Sequence, residues 1–156
     1  MTDSTLAATS ATGPAMPANV AELAQRLPGF IQGARWFWWI AGLSAVNVAC
    51  DLAHANINFV LGLAFTQIAH GVFQSNLAIA LVIDALFIAG FWFIGLKAQQ
   101  GQAWAFLVGA AVFLCDGLVY LKFEAWMPVA FHALALFYIG KAFMSLQAAK
   151  KATGLR

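Results

Sequence analysis

Charge is scarce in this chain. Only 9% of its 156 residues are Asp, Glu, Lys or Arg, against about a quarter in soluble domains. Cysteine occurs twice, too few for a disulfide framework or a quinone-linked thiol relay. No glycine-rich phosphate loop, nucleophile elbow or HExxH is present. The spacings HxxxH, ExxH and CxxC, by which one helix or turn presents two metal ligands, are also missing. No stretch outside the apolar segments is long enough to house soluble chemistry.

What remains is 63% apolar, with a mean hydropathy of +0.82. The length is one domain's worth of chain. Four apolar runs stand out, Trp36–His54, Leu77–Leu96, Ala103–Leu121 and Met127–Leu146. Each approaches the ~20 residues that cross a ~30 Å hydrocarbon core as a helix. Backbone polar groups in lipid must be satisfied within the segment, and the runs are too long and too continuously apolar for barrel strands. The expected fold is therefore an all-α membrane protein, a four-helix transmembrane bundle with one additional interfacial helix between spans 1 and 2. Its small residues, Gly90 with Gly95 and Ala105 with Gly109, are expected at helix contacts.

The net charge of +2 gives no nucleic-acid footprint, because the basic residues sit at span ends. With the N-terminus inside, Arg26, Arg35, Lys97, Lys141, Lys150, Lys151 and Arg156 face one side and Lys122 alone the other. Positive charge gathers on the cytoplasmic side, so both termini are expected in the cytoplasm. Trp36, Trp38 and Trp39 beside Arg35, with Trp104 at the same level, read as an interfacial aromatic belt. Abundant alanine and short loops suggest a bacterial inner membrane. The expected partners are the lipid bilayer and a larger membrane complex or a second copy, with no nucleic acid.

Residues 1–18 are small, polar and proline-containing, and are expected to form a disordered tail. No signal peptide is expected, since the apolar run starts only after residue 35. Residues 19–34 read as a short amphipathic cytoplasmic helix, opened by Asn19 with Glu22 as capping-box partner and closed before Pro28-Gly29. The four spans occupy 35–146, and 147–156 form a basic cytoplasmic tail. Between the first two spans, Asn58–Gln74 places Gln67, His70 and Gln74 opposite Phe65, Ile68 and Val72. That pattern predicts an amphipathic helix in the outer interface, roofing the bundle, with a re-entrant hairpin as the alternative.

Topology then fixes depth. Asn47, Cys50, Asp51 and His54 fall at the outer end of the first span, where Ser44, Asn47, Asp51 and His54 share a face. Asp84 lies about two turns, ~10 Å, below the outer start of the second span. Cys115 and Asp116 are near the outer end of the third, and His132 lies about a turn past Pro128 in the fourth. Intramembrane ionisable residues are costly and mark functional sites by default. Asp84, Asp116, His132, Asp51, His54 and Asn47 are thus candidates for one ligand or proton site.

Three chemistries suit such a level. A metal could draw on Asp84, Asp116, His132 and His54, and a haem on His132 with His54 or His70. Asp84 and Asp116 could share a proton that His132 relays. Protonated aspartates and neutral histidines could instead only tie the helices together, at ~0.6–2 kcal/mol per contact. The leading expectation is a non-enzymatic accessory or ligand- and proton-binding bundle. The alternative is an intramembrane metal- or haem-dependent redox or hydrolytic enzyme using Asp84, Asp116 and His132. Cys50 and Cys115 could pair or serve as small packing residues.

Overall fold

The computed structural model describes residues 22, 26–53, 63–73 and 75–154. Among them are five helices and no strand: α1 (Pro28–Leu52), α2 (Ala64–Val72), α3 (Leu77–Gln99), α4 (Ala103–Lys122) and α5 (Trp126–Thr153). Three of these, α3, α4 and α5, are long and apolar enough to cross a membrane. Helix α1 has 25 residues, about 37 Å of helix, but carries Gln32, Arg35, Ser44, Asn47 and Asp51.

Helix α1 begins at Pro28 rather than near Trp36, so residues 28–34 belong to it and not to a separate cytoplasmic helix. Proline in the first turn loses only an N–H that has no intrahelical partner there, and so it starts this helix instead of ending the one before. The early start is held by packing, since Phe30 and Ala34 are fully buried. Of the expected helix upstream, Glu22 and Arg26 form an i,i+4 ion pair at 2.8 Å; residues 1–21 and 23–25 lie outside the described residues.

The inner half of the bundle is aromatic. Phe30 and Phe37 on α1 pack on Phe106 of α4 with ring centroids 5.5 and 6.0 Å apart. Phe37 also meets Phe91, which meets Phe113. Glycine makes room for this. A Cβ at Gly109 would fall against the Phe37 ring and 2.8 Å from Ile94, and one at Gly95 would strike the Trp38 indole. On the other flank a Cβ at Gly33 would collide with Ala142 and lie 2.7 Å from the Tyr138 carbonyl oxygen, so α1 and α5 run almost backbone to backbone there. Gly95, Ala105 and Gly109 thus take the close-contact role expected of them, whereas Gly90 has open space around it.

Large apolar side chains face outward on every long helix. Trp39, Val82, Leu86, Leu107, Leu118, Phe137 and Met144 are each more than half exposed. A soluble protein rarely leaves so continuous an apolar surface. Conversely, the buried polar side chains among the described residues are Ser44, Asn47, Thr66, Asp84, Asp116 and His132. With lipid outside, this inside-out distribution is the stable one.

Candidate polar site

Helix α4 presents Phe113, Asp116, Gly117 and Tyr120 at i, i+3, i+4 and i+7, one face of the helix. His132 of α5 sits against that face. Its ring stacks on Phe113 at 4.1 Å and leans on Tyr120 at 5.4 Å. A Cβ at position 117 would lie 3.0 Å from its Cδ2, so Gly117 is the notch that admits the imidazole.

The polar atoms of this pair are fully engaged. Nδ1 of His132 lies 2.8 Å from the Pro128 carbonyl oxygen. A carbonyl only accepts, so Nδ1 carries a hydrogen and donates it. Nε2 lies 2.9 Å from Oδ2 of Asp116. Either the ring is an imidazolium facing a carboxylate, or a neutral ring faces a carboxylic acid; in both cases the pair is electrically neutral overall.

Asp116 does more than hold His132. Its Oδ2 accepts the Ala64 N–H and its Oδ1 the Phe65 N–H, both at 2.9 Å. These are orphan donors at the start of α2, whose own N-cap residue, Leu63, supplies no side-chain cap. Asp116 therefore caps a helix 52 residues earlier in the chain. Ser44 of α1 completes the socket: its Oγ accepts the Leu63 N–H at 3.1 Å and donates to the Ile40 carbonyl at 2.8 Å. Thr66 Oγ1 donates to the Leu63 carbonyl oxygen at 2.7 Å. The start of α2 is plugged into the bundle, with Leu63, Ala64, Thr66 and Ala69 buried.

This differs from the amphipathic face expected of the segment. Ile68 and Val72 point outward, 39% and 67% exposed, while His70 turns inward towards α3. Outside the bundle is where apolar side chains belong in lipid. Gln74 and residues 54–62, His54 among them, lie outside the described residues.

His70 meets Asp84. Its Nε2 is 2.6 Å from Oδ2 of Asp84, with the histidine side chain 21% exposed and the aspartate 1%. Here the polar atoms are not all engaged. Oδ1 of Asp84 is buried with no hydrogen-bond partner among the described residues. Asp51, half-buried near the C-terminal end of α1, lies within electrostatic reach of Asp84. Asn47, one turn before Asp51, is buried.

The sequence-level candidates thus divide into two pairs. Asp116 joins His132 and Asp84 joins His70, so Asp84, Asp116 and His132 do not make one ligand set. Among the described residues no three His, Cys, Asp or Glu side chains converge as a metal centre would require. Cys50 and Cys115 are free thiols. His70, expected as a possible haem ligand opposite His132, is instead the partner of Asp84.

The fold and the exposed apolar surface define the class: a multi-pass α-helical membrane protein. No family model matches the chain, and no curated protein or solved structure matches it either.

Proposed function

We propose that the chain is a four-span, non-enzymatic bundle of the bacterial inner membrane, with both termini cytoplasmic, and that its outer-half His70–Asp84 pair binds a proton. In this reading α1 is the first span and α2 is a short inserted segment, anchored at its start by Asp116 and Ser44. The distribution of basic residues supports the orientation.

One observation carries the functional reading, the buried, unpartnered Oδ1 of Asp84 beside a histidine at 2.6 Å. At that separation a hydrogen must lie between nitrogen and oxygen, because two facing lone pairs would repel. The pair therefore holds one proton already. The open oxygen, with Asp51 nearby, offers a place for another without breaking an existing hydrogen bond. Partial exposure of His70 gives that proton a route from the outer surface. Asp116, by contrast, has both oxygens occupied and serves architecture.

The test is infrared difference spectroscopy on the reconstituted protein after a pH step. A carboxylic acid C=O band should rise in the wild type and be missing in Asp84→Asn. A band that survives Asp84→Asn unchanged would put the titrating carboxyl elsewhere and end this reading.

A further inference from the structure

A second feature, none of whose lining residues belongs to the His70–Asp84 site, runs along α1 from Ile31 to Leu43 and meets Phe131 of α5. Helices α1 and α5 touch at Gly33 and Ala142. Trp36 is the wedge: its indole stacks on Tyr138 at 5.7 Å and leans on Phe131 at 5.5 Å. The result is an open groove of about 790 Å³, walled by Gln32, Arg35, Trp39, Leu43 and Phe131 over Trp36.

We infer that this groove is a binding site for one anionic phospholipid. Its two ends differ in chemistry. At the α1 start are Gln32 and the exposed Arg35, for which the described residues supply no ion pair or hydrogen bond. Towards Leu43 and Phe131 the walls are apolar. From Gln32 to Leu43 is about 16 Å of helix, half of a ~30 Å hydrocarbon core, which is the depth of one leaflet. A headgroup phosphate at Arg35 would therefore lay its acyl chain over Trp36, Phe131 and Leu43.

Charge complementarity selects the lipid class. Among the described residues Arg35 is the sole charged side chain of the groove, and no carboxylate lines it. The guanidinium and the donor amide serve the phosphate of either lipid class, but a zwitterionic headgroup also brings its ammonium beside Arg35, a like charge that no carboxylate among the described lining residues offsets. Basic pockets between spans recognise anionic headgroups in this way. Trp39, 64% exposed, brings an indole N–H and an apolar face to the same boundary.

Native mass spectrometry of the full chain, released from micelles holding equal phosphatidylglycerol and phosphatidylcholine, tests the inference. The wild type should retain a single phosphatidylglycerol about fivefold in preference to phosphatidylcholine. Arg35→Gln should bring the two to equal retention with an unchanged circular dichroism spectrum, while Lys151→Gln, at an exposed site away from the groove, keeps the preference. Equal retention of both lipids by the wild type would overturn the inference. So would a preference that persists in Arg35→Gln, since the selecting charge would then lie elsewhere.

Discussion

Replacing Asp116 with alanine removes one partner of three hydrogen bonds at once: the two it accepts from the backbone N–H groups of Ala64 and Phe65, and the one it shares with Nε2 of His132. Hydrogen bonds between helices in membranes average ~0.6 kcal/mol and reach ~1.7 kcal/mol, because the unfolded chain in lipid also finds partners. Three of them set the loss at about 2–5 kcal/mol, in line with the ~3–5 kcal/mol of breaking a buried pair from one side. Asp116→Asn is milder. Its oxygen can still accept the Phe65 N–H and its amide can donate to Nε2 of a neutral His132, but the amide then faces the Ala64 N–H, donor against donor. One bond of three is lost, about 1–2 kcal/mol. Reversible unfolding in mixed micelles measures the loss, and hydrogen exchange at Ala64 and Phe65 locates it. An alanine variant within ~0.5 kcal/mol of the wild type, with those amides still protected, would refute the capping role.

The helix contacts and the topology make further predictions. Gly33→Val should lower stability by about 1–3 kcal/mol, the usual cost of overpacking, because its side chain would enter Ala142 and the Tyr138 carbonyl. Gly140→Ala, with open space at its Cβ, should stay within ~0.5 kcal/mol; thermal melts of the two variants separate these outcomes. In a background with Cys50 and Cys115 replaced by serine, a cysteine at Ser75 or Glu124 should react with an impermeant thiol reagent from the outside. One at Gln100 should react only after the membrane is opened, and labelling of position 100 in intact cells would reverse the orientation.

The long helices were largely legible. Runs expected over 77–96 and 103–121 are helices over Leu77–Gln99 and Ala103–Lys122, since Asn76 accepts the Ile79 N–H at the start of one and Gly101, at φ 76°, turns the chain into the next. Helix α1 was misjudged at its start because Pro28-Gly29 reads equally as a stop or as a first turn. Only the burial of Phe30 decides between them. The shared depth expected of Asp84, Asp116 and His132 rests on span order and direction, which sequence carries. Their pairing did not, because it depends on how each helix is rotated about its axis. Gly117 and Phe113 form the pocket that selects His132 for Asp116, and four ordinary residues of α4 give no hint of it. The pairing of His70 with Asp84 was hidden for a related reason: a histidine beside a glutamine on a short helix gives no sign of which span it faces until the start of that helix is seen capped by an aspartate from α4.

In the proposed function the two histidine–aspartate pairs differ, His132–Asp116 being a closed clamp and His70–Asp84 an open proton site. Imidazole ¹⁵N NMR of the reconstituted protein tests this directly. His132 should show a hydrogen fixed on Nδ1 that exchanges slowly with solvent and is untouched by Asp84→Asn. His70 should exchange rapidly and change its protonation signature in Asp84→Asn. Rapid exchange at His132 with a static, Asp84-insensitive His70 would contradict the account.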